Sequence, residues 1–254
     1  MMEQNVIKEQ TARAAVDALV KDGMKLGLGT GSTAVHAVRY IGALLKEGKL
    51  KDILAVPTSF QTTIECEKWD IPLFSLNSKE IDGRLDLSID GADEVDPENR
   101  LIKGGGGAHL LEKIIAYASA SYAVVVDESK LVENLGVKFP VPVEVIPEAR
   151  IPVTQALTRL GAEVTLREAL RKAGPVITEH GNLLLDVHFK KTFDPAVMEI
   201  EISRIPGVVE NGLFTFPSAT PTLLATPTEL ARRPVVFIGR PDGKVEQRSV
   251  RKVK

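Results

Sequence analysis

The chain has a single cysteine, a single tryptophan and few aromatic residues, and neither sign of charge dominates: 32 Lys and Arg stand against 34 Asp and Glu in 254 residues. A lone thiol, Cys66, excludes an internal disulfide framework, and its place in the helical run Gln61 to Trp69 predicts a buried structural thiol rather than a nucleophile. The near-neutral balance gives no basic footprint for nucleic acid and no charged face for a membrane surface. No apolar run approaches the roughly 20 residues that a membrane helix requires. The opening Met1-Met2-Glu3-Gln4-Asn5 has neither a basic nor an apolar leader region. His36, His180 and His188 show no metal-ligand spacing with one another or with Cys66, so no metal is expected. The triphosphate-binding pattern G-x-x-x-x-G-K-[ST] is absent. What these absences leave is a cytoplasmic globular protein with a small-molecule ligand and no nucleic-acid or membrane partner.

What is present is an ordinary globular composition, 44% apolar and 26% charged, on a chain long enough for a main domain carrying a smaller one. Residues 3 to 22 have near-helical apolar spacing and Gly23 closes the run. Predicted strands at Lys25 to Leu28, Ile53 to Val56, Leu85 to Ile89 and Ala123 to Val126 then alternate with helices near 32 to 46, 59 to 69 and 108 to 119. That alternation predicts an α/β fold with a Rossmann-like, mostly parallel sheet covered by helices on both faces. In Leu85 to Asp90, apolar and polar residues alternate, as in a strand with one buried face.

The pattern changes after about Leu135. A proline-punctuated strand over Phe139 to Pro147, a helix over Arg150 to Leu160, a strand over Ala162 to Leu166 and a hairpin over Pro175 to Phe189, turning at His180-Gly181-Asn182, describe a smaller α+β domain. A helix over Asp194 to Arg204 follows, with Asp194-Pro195 as cap and first turn. Val208 to Thr215 and Pro234 to Gly239 are expected to return to the main sheet, and Pro241-Asp242-Gly243 turns into a last strand. The expected division is 1–135 with 209–254 as the catalytic domain and 136–208 as the smaller one. The proline- and threonine-rich Phe216 to Arg233 reads as a long surface loop.

The residues able to do chemistry gather at predicted strand ends. Gly27-Leu28-Gly29-Thr30-Gly31-Ser32-Thr33 joins a strand to a helix, where glycines let the backbone approach a ligand and unpaired N–H groups, with the hydroxyls of Thr30, Ser32 and Thr33, can hold a phosphate. Gly29 to Ala34 also fits G-x-G-x-x-A, but the next strand ends in Pro57-Thr58-Ser59 without the acid that a dinucleotide ribose requires. Asp90-Gly91-Ala92-Asp93 lies at or just beyond the end of its strand, the edge where open α/β sheets bind ligands. Lys103 opens the tract Gly104-Gly105-Gly106-Gly107, which runs directly into a helix and offers free N–H groups. Glu112, about one turn into that helix, leans back toward the glycines because helical side chains tilt toward the N-terminus. Carboxylates, one cation and a donor loop make a kit for proton transfer with oxyanion stabilisation. Lys130, in Asp127-Glu128-Ser129-Lys130, is a second anion contact, and His109 reads as an exposed loop histidine.

Taken together, G-L-G-T-G-S-T at 27–33, P-T-S-F-Q at 57–61, D-G-A-D-E-V-D at 90–96, K-G-G-G-G-A at 103–108, L-L-E-K-I around Glu112, D-E-S-K at 127–130, G-N-L-L-L-D at 181–186 and G-V-V-E-N-G-L-F at 207–214 resemble the type A ribose-5-phosphate isomerases over nearly the whole chain. The resemblance implies interconversion of D-ribose 5-phosphate and D-ribulose 5-phosphate through an enediolate, without metal or organic cofactor, in a homodimer or tetramer. It assigns Glu112 as the base, Lys103 to the oxyanion, Asp90 and Asp93 to hydroxyl protons and ring opening, and Thr30, Gly31, Ser32, Thr33, Gly91, Ala92, Gly104, Gly105, Gly106 and Lys130 to substrate binding. Phe216 to Arg233 departs from the family as an insertion. A non-catalytic sugar-phosphate sensor is the alternative, but binding alone has no use for a base; acyl or CoA transfer would require a nucleophilic carboxylate, a role that spacing leaves open for Glu112.

Overall fold

A computed structural model describes residues 3–215 and 233–249. In chain order its elements are α1 (Gln4–Leu19), β1 (Lys25–Leu28), α2 (Ala34–Lys46), β2 (Leu54–Pro57), α3 (Phe60–Lys68), β3 (Leu85–Asp90), β4 (Glu94–Val95), β5 (Leu101–Ile102), α4 (His109–Tyr117) and β6 (Ser119–Asp127). There follow β7 (Val141–Val145), α5 (Arg150–Arg159), β8 (Ala162–Leu166), β9 (Leu183–Phe189), α6 (Pro195–Ser203), β10 (Val208–Asn211), β11 (Leu213–Phe214), β12 (Val235–Gly239) and β13 (Val245–Arg248). Among the described residues, 3–92, 111–130 and 233–249 pack as one unit and 93–110 with 131–215 as another. Segments 93–110, 131–135 and 209–215, which the sequence pattern places in the first domain, therefore lie in the second unit. The expected loop over Phe216 to Arg233 falls almost wholly outside the described residues.

The first unit is built on a six-stranded sheet in the order β13-β12-β6-β3-β1-β2, parallel throughout except for the edge pair β12 and β13. Its core gathers Leu26, Leu28, Ile41, Ile89, Val125 and Phe237, while Ala12, Ala15 and Val16 seat α1 against it. Strand β3 departs from its sequence reading: only Asp86 is exposed, and Ser88 and Asp90 are as buried as the apolar residues. Helices on both faces of a parallel sheet explain this, because neither side of an interior strand is left to water. From β1 the chain crosses to β2 on one side, whereas β3 lies on the other. This reversal makes the carboxyl ends of β1 and β3 a topological switch point, the ordinary ligand position of such sheets.

The second unit holds a four-stranded antiparallel sheet, β10-β7-β9-β8, and a small three-stranded one, β11-β5-β4. Val208 to Thr215 does not return to the main sheet: β10 pairs with β7 and β11 with β5. Alternation in a sequence marks a strand but not its partner. The predicted hairpin over Pro175 to Phe189 is also altered. Its turn forms, with Gly181 N donating to Thr178 O at 3.0 Å, yet the first arm touches β9 only at Ile177 and Leu183, because both edges of β9 are taken by β7 and β8. Helix α6 starts as expected, with the Asp194 carboxylate accepting from the N–H groups of Ala196 and Val197 and Pro195 in the first turn.

Two acids of the D-G-A-D-E-V-D run serve this architecture. Glu94, fully buried, accepts from the backbone N–H groups of Gly136 at 2.6 Å, Lys138 at 2.6 Å and Phe139 at 2.7 Å. Asp96 closes the turn between β4 and β5, accepting from Glu98 N at 2.9 Å, Arg100 N at 2.8 Å and Arg100 Nε at 2.5 Å.

Removing the Glu94 carboxylate orphans three backbone donors, so Glu94→Ala is expected to lose about 3–5 kcal/mol in urea denaturation; a loss below about 1 kcal/mol would show that water replaces the carboxylate without cost. Cys66 is fully buried and desolvation pushes its thiol up to about 12. At pH 8 such a thiol is thiolate to only roughly one part in 10⁴. Native protein should therefore resist a disulfide-exchange reagent that titrates Cys66 at once in guanidinium, and rapid native labelling would contradict the burial.

Candidate active site

In the first unit, Asp90 ends β3 and is only 2% exposed. Its Oδ1 accepts from Thr30 N at 3.0 Å and Gly91 N at 2.7 Å, while Gly29 N donates to Ile89 O at 2.9 Å. The ends of β1 and β3 are thus tied by a carboxylate rather than by the ladder alone. Gly29 permits it: a Cβ there would overlap the Asp90 carboxylate and crowd its backbone. Gly91 and Ala92 are half-buried, and a Cβ at Gly91 would meet nothing closer than 3.9 Å, so this side of the turn has room.

The hydroxyls of Gly29 to Thr33 are used unequally. Thr30 Oγ1 lies 2.7 Å from Thr58 Oγ1, 2.5 Å from Ser59 Oγ and 3.1 Å from Thr62 Oγ1, a cluster that fastens the loop to the start of α3. The P-T-S-F-Q run thus buttresses the loop, and Gln61 adds its side-chain carbonyl to Gly31 N at 3.1 Å. Ser32 Oγ instead accepts from Lys8 Nζ at 2.8 Å. Thr33 occupies the N-cap of α2 but its side chain makes no capping bond. Lys8 therefore brings a cation to this glycine-rich loop; nothing in its surroundings on α1 marks it in the sequence, because the pairing spans 24 residues.

Glu112 sits in the first turn of α4 and is only 6% exposed, so it is a buried carboxylate and not a surface ion pair. Lys130 closes the short 3-10 turn Glu128–Lys130 after β6 and is half-buried. The preceding Asp127 caps that turn through Oδ1, accepting from the N–H and hydroxyl of Ser129.

In the second unit, Asp93 N donates to Ile102 O at 2.8 Å, which sets Asp93 beside the end of β5. Its Oδ2 accepts from Gly105 N at 2.8 Å. Lys103, 2% exposed, continues β5 by donating its N–H to Gly212 O at 2.9 Å, and its Nζ stands 5.8 Å from the ring centroid of Phe214, within cation–π range. Gly104 has φ +108°, a backbone that other residues avoid, and a Cβ there would come within 2.8 Å of His109 Nδ1. His109 itself is fully buried, contrary to the exposed position expected for it, with Nε2 3.3 Å from Glu210 O. The missing side chain of Gly104 makes room for its ring.

The sequence marks Arg167 by no motif, and Asp186 only as the last residue of G-N-L-L-L-D, with no role attached. Arg167 follows β8 and donates through Nη1 to Gly104 O at 2.8 Å and Gly105 O at 3.2 Å, while Nε and Nη2 fork onto Asp186 of β9. Structure therefore groups Thr30 with Asp90 and Gly91 in one unit, and Asp93 with Lys103 to Gly106 in the other. Among the described residues, no three His, Cys, Asp or Glu side chains are disposed around a common metal position, and no helix is long and apolar enough to cross a membrane.

Residues 54–229 match the family model of ribose 5-phosphate isomerase A, also called phosphoriboisomerase A. A ribose-5-phosphate isomerase A of Treponema denticola is 50% identical over 252 residues, covering 96% of this chain and 99% of that protein. Among solved structures, the ribose 5-phosphate isomerase A of Methanocaldococcus jannaschii superposes with a TM-score of 0.85 at 42% identity, covering 98% of this chain and 100% of that one. A D-ribose-5-phosphate isomerase in complex with phospho-erythronic acid gives a TM-score of 0.87 at 40% identity, again over 98% of this chain and 100% of that one. Half-identity across both full lengths, on a shared fold, is far beyond what convergence of a few loops produces, and the chain belongs to the ribose 5-phosphate isomerase A family.

Proposed function

We infer that this chain interconverts D-ribose 5-phosphate and D-ribulose 5-phosphate by proton transfer through an enediolate. The observation that carries the reading is 50% identity to a ribose-5-phosphate isomerase A over 96% of the chain. Beside it stand a buried glutamate at a helix start, a buried lysine and a glycine loop.

The reaction sets the roles. Ring opening moves a proton from the anomeric hydroxyl to the ring oxygen, work suited to the carboxylates of Asp90 and Asp93. The aldehyde then acidifies the hydrogen on C2. Glu112 removes that proton as general base, leaving an enediolate with negative charge on the oxygen of C1; a proton then passes from the C2 hydroxyl to the C1 oxygen, hydroxyl work suited to the same aspartates, and Glu112 returns its proton to C1 as the oxygen on C2 becomes the ketone. Positioned bases of this kind contribute about 10²- to 10⁴-fold. Lys103 and the N–H groups of Gly104 and Gly106 are the donors toward the developing oxyanion, which they hold more strongly than the neutral carbonyl, while Gly105 N–H, bonded to Asp93 Oδ2, orients that carboxylate at the substrate. Gly91 and Ala92 line the substrate beside Asp90, and Thr30, Gly31, Ser32 and Thr33, with Lys8 and Lys130, supply N–H groups, hydroxyls and cations to its anionic groups. Phospho-erythronic acid, which one solved relative holds, carries a planar carboxylate like the two-oxygen face of an enediolate, and this supports the same class of ligand here. Family likeness further supports a cytoplasmic homodimer with no nucleic-acid partner.

Glu112→Gln should keep the fold and substrate binding while kcat for D-ribose 5-phosphate, measured in chelator-treated buffer, falls at least about 10²-fold. Equal turnover would move the base elsewhere, and binding without turnover in the wild type would favour a sensor. Gly29→Ala is expected to displace Asp90 and lower kcat/KM by about 10-fold or more, since small misplacements of reacting groups are costly. Unchanged kinetics would show that Asp90 tolerates the added methyl.

A further inference from the structure

The glycine loop is the least self-determined part of the proposed machinery. Glycine peptides visit many backbone states at similar energy, so a run of four has no reason of its own to hold its donors in one direction. Fixed donors are what make an oxyanion site effective, because they have no reorganisation left to do when charge develops. Something outside the loop has to supply the order.

Arg167 is placed to do so. Its Nη1 reaches Gly104 O at 2.8 Å and Gly105 O at 3.2 Å. Gly104 O has a second lone pair, which accepts from Gly107 N at 3.0 Å. No described peptide is cis, and a trans peptide turns its N–H opposite to its C=O. Holding the carbonyl of Gly104 therefore directs Gly105 N–H the other way, where it meets Asp93 Oδ2 at 2.8 Å. Holding the carbonyl of Gly105 turns Gly106 N–H away from Arg167 by the same geometry. The guanidinium is itself locked: Nε lies 2.9 Å from Asp186 Oδ2, Nη2 closes the fork on Oδ1, and both side chains are mostly buried. Asp186 lies in β9 between β7 and β8, and Arg167 N donates to Leu184 O at 2.9 Å, so the clamp is rooted in the four-stranded sheet.

We propose that Arg167, locked by Asp186, is a positioning residue for the isomerisation: by gripping the carbonyls of Gly104 and Gly105 it sets Gly105 N–H on the Asp93 carboxylate, aims Gly106 N–H at the oxyanion, and steadies the backbone that follows Lys103. The proposal rests on the reading that this loop stabilises the enediolate. Lysine cannot take its place fully, because one ammonium lacks the planar fork that satisfies a carboxylate and two carbonyls together.

The test compares wild type with Arg167→Met, Arg167→Lys, Asp186→Asn and the Arg167→Met/Asp186→Asn double variant. It reads kcat and KM for D-ribose 5-phosphate, inhibition by phospho-erythronic acid, and thermal stability. Arg167→Met is expected to lower kcat about 10- to 100-fold with KM changed less than about threefold, and to weaken the inhibitor by a similar factor to kcat/KM. Arg167→Lys should recover part of the loss, and the double variant should be within about twofold of Arg167→Met, since the two residues act as one device. Wild-type kcat and inhibitor binding in folded Arg167→Met, or a loss confined to KM or to thermal stability, overturns the proposal. If Arg167→Met does not fold, wild-type kcat in both Arg167→Lys and Asp186→Asn overturns it. Wild type and Glu112→Gln run in parallel separate the two claims: a turnover that depends on Glu112 but not on Arg167 removes this inference and leaves the isomerase standing, whereas no wild-type turnover removes the reading beneath it.

Discussion

The Asp90 carboxylate, seated over the bare backbone of Gly29 and bonded to the N–H groups of Thr30 and Gly91, is the constraint on which the order of the first unit's strand-end loops depends. Parallel sheets bring strand ends together but do not fix the loops that leave them. Here one buried carboxylate ties the loop after β1 to the turn after β3, at the point where the strand order reverses. The tie works only with glycine at position 29, and it leaves the hydroxyl cluster around Thr30 to hold the loop from its other side. Orientation is thus built into the resting backbone of both turns.

The second unit solves a similar problem with different means. Its short strands β4, β5 and β11 carry few ladder bonds of their own, and buried side chains complete the order: Glu94 gathers the N–H groups near 136–139, Asp96 closes the turn to Arg100, and Arg167 with Asp186 holds the glycine carbonyls. Each is a charged group whose partners are satisfied, the condition under which burial of charge is tolerated. Carboxylates crowded into one sequence motif consequently take different structural tasks: Asp90 ties two strand ends, while Glu94 and Asp96 secure the backbone of the second unit.

Much of this was legible from residue order. The alternation of β-branched and aliphatic runs with helical periods marked the strands of the main sheet within a few residues, and the glycine and acid runs fell at strand ends because that is where chains in such folds turn. The family resemblance was legible too, because its motifs are long and ordered. Partners were not. The pattern of Val208 to Asn211 announces a strand equally well for either sheet, and a two-residue strand such as β4 has no period to detect. His109 looked exposed because its neighbours are glycines, yet fully buried it packs where those glycines leave room. Lys8 and Arg167, and the task of Asp186 inside its motif, became visible only with the fold, since the contacts of Lys8 and Arg167 with the glycine loops span 24 and 63 residues of chain and the Arg167–Asp186 pair spans 19.

The claim that joins these parts is chemical: a hydrogen leaves C2 as a proton, is held by a protein carboxylate, and returns to C1. A hydride shift between the two carbons would make the base and the oxyanion donors superfluous. Isomerisation of D-ribose 5-phosphate in heavy water, with the ketose product analysed by NMR at C1, distinguishes the two. Proton transfer through Glu112 predicts solvent deuterium at C1 in a measurable fraction of product formed in a single pass, because a protonated carboxylate can exchange before it delivers. Product formed at the full rate with no deuterium at C1, and with a C2 label carried over completely, would contradict the account.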